Sequence, residues 1–333
     1  MLETIWFILW GILWAIYFVL DGFDLGIGTL YPFLASEESG RQIIHGSIAP
    51  YWDGNEVWLI TAGGVTFAAF PTTYAVMFSS LYSPLLLILF ALIIRGVSVE
   101  LRMKTESEKM RRWFDRGIFV GSFLPPLLLG VAFANIFRGI PIDELGIFHG
   151  NLLTLLNPYG LTGGTLFMLL FAVHGSLWLA VKTEGEIQKR ASIMASNLWL
   201  ALVFVAVLFL MLTALVTDLY VNYLNTPVMF VIPGTALIAL VATRVFIARD
   251  AWWKSWVASA FTIAFVTLFG VGGLYPRLFP SSLDPSYSLT AFNSSSSPLT
   301  LKIMLGVAGV MVPIVLAYQF WAYIFFRGKT EGY

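Results

Sequence analysis

Two pairs of carboxylates interrupt a chain that otherwise carries little charge. Asp21 and Asp24 fall inside the apolar run 5–35, and Asp53 and Glu56 fall in Ala49-Pro-Tyr-Trp-Asp-Gly-Asn-Glu-Val-Trp58. The members of each pair are three apart, so each pair shares a helix face. An ionised group inside a bilayer costs a few kcal/mol or more, which makes such acids candidates for work on protons or ions. Gathered at one membrane face, the four acids could take up protons and pass them inward. They could equally cap helix ends or pair with Arg95, expected to close the third helix on the same side, and spacing leaves both readings open. As a helix the 5–35 run would extend about 46 Å, longer than the roughly 30 Å hydrocarbon core. Asp21 and Asp24 are therefore expected near one boundary but still within protein.

His174 lies between Val173 and Gly175 in the fifth apolar segment. A lone histidine there is expected to hydrogen-bond across a helix interface. Haem held between two histidines needs a second one facing it, and His45 and His149 fall in loops on opposite sides of the membrane. No cluster of alternative axial ligands accompanies His174, so no haem or metal is assigned to this chain and any haem is expected on another. Cysteine is absent from the sequence, which excludes disulfides, thiolate metal sites and iron–sulfur clusters. Asn135, Asn157 and Gln319 read as interhelical hydrogen-bonders.

The elements that must position these groups are membrane helices. Of 333 residues, 58% are hydrophobic and 11% charged, against about 25% charged in soluble domains. Zero net charge speaks against a nucleic-acid partner. Apolar runs place nine transmembrane helices near 5–25, 52–70, 73–94, 117–136, 161–181, 193–217, 228–248, 256–275 and 301–326. All Lys and Arg residues except Arg138, Arg277 and Lys302 then lie on one side, so the N-terminus is outside and the C-terminus cytoplasmic. The first segment lacks a basic leader and a small-residue cleavage site, and reads as a retained helix. Trp6, Trp10, Trp252, Trp253 and Trp321 are expected as interfacial anchors.

The fold class is an all-α membrane protein: two four-helix bundles plus one additional helix in a single polytopic domain, 1–333. The first bundle covers 1–140 and the second 141–280; the last outer loop, ninth helix and cytoplasmic tail cover 281–333. Glycine pairs Gly22/Gly26, Gly117/Gly121 and Gly160/Gly164 have the spacing of close helix contacts in lipid.

Five motifs carry a resemblance. Asp-Gly-Phe-Asp-Leu-Gly at 21–26, the run 48–59 around Asp53, Thr-Ala-Gly-Gly at 61–64, Gly-Ser-Phe-Leu-Pro-Pro at 121–126 and Leu-Asn-Pro-Tyr-Gly-Leu at 156–161 resemble subunit II of cytochrome bd-type ubiquinol oxidases. The resemblance runs the length of the chain. It implies a complex in the bacterial inner membrane that oxidises membrane quinol, reduces dioxygen to water and builds a proton motive force. It also implies a haem-bearing subunit I holding two b-type haems and one d-type haem, with a small single-helix accessory subunit in some assemblies. Subunit II would carry no haem, would stabilise its partner and in some members holds a structural quinone. By the same resemblance Asp53 matches an acid at the entrance of a cytoplasmic proton path, Asp24 matches a second buried acid, and Trp58 matches a tryptophan associated with oxygen access toward haem.

Two departures limit what carries over. Position 56 is an acid where the best-known members have glutamine, so Glu56 changes either the proton path or only local charge. The 218–227 connection is short where some relatives have a long excursion, which puts accessory-subunit contacts in doubt. A transporter with a midplane ion site, or a purely structural membrane scaffold with capping acids, are the competing readings.

Overall fold

The computed structural model describes residues 1–35 and 37–330; residues 331–333 of the expected tail lie outside them. Eight helical segments among the described residues are long and apolar enough to cross a membrane. They are α1 (Leu2–Leu34), α5 (Tyr82–Arg102), α6 (Glu108–Arg138), α8 (Pro158–Lys182), α9 (Gly185–Val216), Pro227–Ile247 with α11 (Val231–Ile247) in it, α12 (Trp252–Leu274) and α13 (Pro298–Phe325). α3 (Trp52–Ala69) is not among the eight, since its first turns hold Asp53, Asn55 and Glu56. Its ends nevertheless lie beside both ends of α13: the Tyr51 hydroxyl donates to Phe326 O, and Ser296 N donates to Ala69 O.

Boundaries differ from the sequence expectation for local reasons. α1 runs to Leu34, and the following stretch, expected as a loop, holds a further helix, α2 (Glu38–Ile48). The third expected helix is two pieces, α4 (Pro71–Ser80) and α5, because Pro84 has no N–H to offer the Ser80 carbonyl. Short turns α7 (Leu152–Leu155) and α10 (Val221–Asn225) lie in connections. A two-stranded antiparallel ribbon, β1 (Arg277–Phe279) with β2 (Leu289–Thr290), sits in the loop before α13.

α1 is the axis of the packing and touches α3, α6, α8 and α12. Its contact with α8 is a backbone crossing. A Cβ on Gly26 would overlap the Phe171 carbonyl, and one on Gly175 would sit 2.6 Å from Ile27 N. Trp6 and Trp10 are not interfacial anchors as expected. They are buried on α1, and their indole N–H groups donate to Leu301 O and Thr66 Oγ1. Trp253 and Trp321 are exposed.

The two ends of the bundle are tied differently. At the basic end buried Arg102 pairs with Glu38 (2.9 Å) and Asp115 (2.5 Å), and Arg41 also reaches Asp115 at 2.7 Å. The Arg102 guanidinium holds the Glu38 carboxyl below its ordinary range. Buried Lys182, at the end of α8, donates to the carbonyls of Phe326 and Gly328 and so fastens the C-terminal end of α13. At the opposite end Ile140 N donates to Pro280 O and Thr73 donates to Ser294, so backbone and hydroxyl bonds join the loops.

Because the α1–α8 crossing has no room for a side chain, Gly26→Val should cost at least about 1–3 kcal/mol by overpacking. Thermal denaturation of the purified protein in detergent measures this; a melting temperature equal to wild type would mean that the two helices can separate freely.

Candidate functional site

Asp21 lies about 20 Å along α1 from its Leu34 end at 1.5 Å per residue, deeper than a boundary position. Asp21 and Asp24 are completely buried. Arg95 does not close its helix as the sequence suggested. α5 continues to Arg102, which leaves Arg95 about two turns inside and completely buried. Its Nη2 is 3.0 Å from Asp21 Oδ1, and its Nη1 is 3.5 Å from Glu56 Oε2. Gly121 of α6 makes this placement possible: a Cβ there would lie 2.8 Å from the Arg95 backbone N. The missing side chain lets α6 press against α5 at the position that aims the guanidinium toward α1.

A second set of bonds joins the same site from α3 and α13. Trp58 Nε1 donates to Gln319 Oε1 (2.7 Å), Gln319 Nε2 to Asn55 Oδ1 (3.0 Å), and Asn55 Nδ2 to Asp24 Oδ2 (2.6 Å). The Tyr323 hydroxyl donates to the same Asn55 oxygen at 2.9 Å. Each link runs donor to acceptor and ends on a carboxylate, so Asp24 orients the whole series. Asn55 and Tyr323 were missed by sequence reasoning. The signal was available, since Gln319 and Tyr323 are four apart in an otherwise apolar helix and Asn55 lies between the two acids of α3.

Of the four expected acids, the fold therefore gathers Asp21, Asp24 and Glu56. Glu56 retains partial access, with 22% of its side chain exposed. Asp53 makes no ion pair among the described residues: it is exposed in the first turn of α3, one turn ahead of Glu56 and on the same side of the helix. Trp58 is buried, and its indole N–H is committed to Gln319.

His174 bridges three helices. Its Nδ1 is 2.5 Å from Ser259 Oγ on α12, its Nε2 is 3.1 Å from Val19 O on α1, and the ring stacks on Trp256 at 5.1 Å. The tautomer that satisfies both contacts donates from Nε2 and accepts at Nδ1. Both ring nitrogens are thus occupied. His45 is buried in α2 against Val99 O at 2.7 Å, and His149 pairs with Asp143 in a connection. Among the described residues no group of three or more His, Cys, Asp or Glu could hold a metal ion. Asn135 and Asn157 bond each other at 2.7 Å and join α6 to the start of α8.

Removing one partner from a buried ion pair leaves an uncompensated charge, at a cost of about 3–5 kcal/mol. Arg95→Leu is expected to destabilise the protein on that scale. Adding Asp21→Asn to Arg95→Leu is expected to recover part of the loss, because it removes the charge left stranded. A thermal-melt double-mutant cycle reads the coupling, and strictly additive effects would mean the two groups do not interact.

Residues 2–326 match the family described as cytochrome bd terminal oxidase subunit II. The chain is 37% identical to cytochrome bd-I ubiquinol oxidase subunit 2 of Escherichia coli K12, over 97% of this chain and 93% of that one. It is also 37% identical to cytochrome bd ubiquinol oxidase subunit 2 of Bacillus subtilis 168, over 99% and 97%. In structure it is similar to a chain of the bd oxidase from Geobacillus thermodenitrificans, with a TM-score of 0.76 at 20% identity, covering 97% of this chain and 98% of the other. The family match over nearly the whole chain, the 37% identity to two such subunits and the shared fold agree: this chain belongs to the cytochrome bd terminal oxidase subunit II family.

Proposed function

We propose that this chain is the haem-free second subunit of a quinol:oxygen oxidoreductase, that it stabilises a haem-bearing subunit I, and that it conducts protons from the cytoplasm. The arrangement of acids carries this reading. Asp21 and Glu56 share one buried guanidinium and Asp24 lies one turn further along α1, held by Asn55, so protons can be taken up and released at Glu56 and Asp24 while the Asp21–Arg95 pair stays intact. The partly exposed Glu56 and exposed Asp53, at the basic end of α3, form the approach, and Asp21 and Asp24 form the interior.

In this reading the basic end faces the cytoplasm and the ribbon-bearing end lies outside. α3 is then a ninth crossing, short and polar because it carries the entrance. α1, α3, α5 and α6 make one four-helix set and α8, α9, α11 and α12 the other, with α13 added. The haems, two b-type and one d-type, would supply electron transfer and oxygen reduction from subunit I. His174 has no free nitrogen for such a group, which supports their assignment to the partner. Trp58, fastened to Gln319, fits a fixed wall beside an oxygen route better than a moving gate. An apolar cleft of about 130 Å³ between α6, α8, α9, α11 and α12, lined by Phe167, Phe209 and Leu237 among others and open on the side of exposed Leu237, is where a structural quinone would find apolar contacts. A small single-helix accessory subunit, where present, would add to the same assembly.

Asp24→Asn and Asp53→Asn, made separately in the assembled oxidase, are expected to lower quinol-dependent oxygen consumption by roughly tenfold or more, as loss of a proton-transfer group does. Haem content and spectra should be preserved. Unchanged rates in both variants would remove the proton-conducting role and leave a scaffold.

A further inference from the structure

One face of α1 carries polar atoms well beyond the acids. Trp14, Tyr17, Asp21 and Asp24 recur at alternating steps of three and four, which places them in one line along the helix. All four are buried, with exposures of 7% for Trp14 and zero for the others. All four also hold polar atoms with no well-aligned hydrogen-bond partner in the protein: Trp14 Nε1, the Tyr17 hydroxyl, which lies against the Asp21 carboxylate, both Asp21 oxygens and Asp24 Oδ1. Arg95 Nε and Nη2, opposite them, are likewise without an aligned acceptor although the ion pair is close. Unpaired polar atoms at zero exposure are rare, and where several converge the usual partner is ordered water. The charged groups that face the Tyr17 hydroxyl are Asp21 on its own helix, Glu56 on α3 and Arg95 on α5.

We propose that this face of α1 lines a file of ordered water and that the Tyr17 hydroxyl relays protons along it, away from Asp21 and toward Trp14. This rests on the proton-conducting reading above and extends it. From Asp24 to Trp14 the line covers about 15 Å of helix axis. Trp14 and Trp10 form part of the wall of a cavity of about 670 Å³ between α1, α3, α4, α5 and α6, where the file ends. A tyrosine hydroxyl suits the position because it both donates and accepts. Its oxygen takes a proton from the water on the Asp21 side as its own proton passes to the water on the Trp14 side. One O–H bond forms as the other breaks, and the phenol is neutral before and after. Trp14 Nε1 only donates, so it fixes a water and takes no proton.

The test uses the assembled oxidase. Radiolytic hydroxyl-radical labelling, which marks side chains beside bound water, is expected to modify Tyr17 and Trp14 and to spare the adjacent buried Phe18. Protection of Tyr17 equal to that of Phe18 would overturn the water file. Tyr17→Phe keeps the ring and removes only the hydroxyl. It is expected to lower turnover several-fold and enlarge the solvent deuterium isotope effect, with the quinol KM, haem spectrum and melting temperature unchanged. Normal turnover and a normal isotope effect overturn the relay, whether or not Tyr17 is labelled. Asp24→Asn measured alongside separates the two levels. If it slows turnover while Tyr17→Phe does not, only the extension falls; if Asp53→Asn, Asp24→Asn and Tyr17→Phe all leave turnover unchanged, the proton-conducting reading falls with it.

Discussion

A guanidinium buried away from bulk solvent must be neutralised where it stands, and in this protein that requirement organises the interior. Arg95 is completely buried in α5, so acids from α1 and α3 have to meet it. The desolvation of such a group is expensive, and mutual attraction offsets it only when geometry is good and the remaining polar atoms find partners. Three helices are thereby held in fixed register around one cation. The small residue Gly121 is needed because the guanidinium can reach α1 only if α5 and α6 lie backbone to backbone at that level.

The rest of the molecule can be understood as support for that cluster. α1, which supplies two acids, touches the greatest variety of neighbours and is locked to α8 at Gly26 and Gly175. α13 is mostly exposed along its length, yet Gln319 and Tyr323 must reach Asn55. It is held instead at its ends, by Trp6 on Leu301 O and by Lys182 on Phe326 O and Gly328 O. In a bilayer there is no hydrophobic drive to press an apolar helix onto its neighbours, so polar fastenings and close packing take that role. His174, wedged between Val19 and Ser259, does the same for α8 and α12.

These fastenings also bear on the division of labour within a cytochrome bd oxidase. The proposed proton-conducting role asks for acids that hold their places while protonation changes, and the fixed Asp21–Arg95 pair keeps Glu56 and Asp24 beside it in place. This chain has built its interior histidine into helix packing and placed its acids around Arg95.

Much of the architecture was legible in the sequence, because lipid imposes a length and an apolar composition on every crossing helix, and long uncharged runs satisfy little else. The motifs around Asp21 and Asp53 were enough to point to the family, and the three-residue spacings correctly placed Asp21 with Asp24 on one face. What the sequence left open was decided in three dimensions. Spacing could not say whether Arg95 ends a helix or lies within one, nor that Glu56 reaches Arg95 while Asp53 stays exposed, because both depend on where one helix rotates against another. Trp6 and Trp10 looked like interfacial anchors by position near a terminus, and only the packing of α1 in the centre of the bundle turned them into buried donors. Composition fixes which segments leave water; which of their polar atoms meet is set by contacts between residues far apart in the chain, such as Asn55 with Gln319, and no local pattern records those.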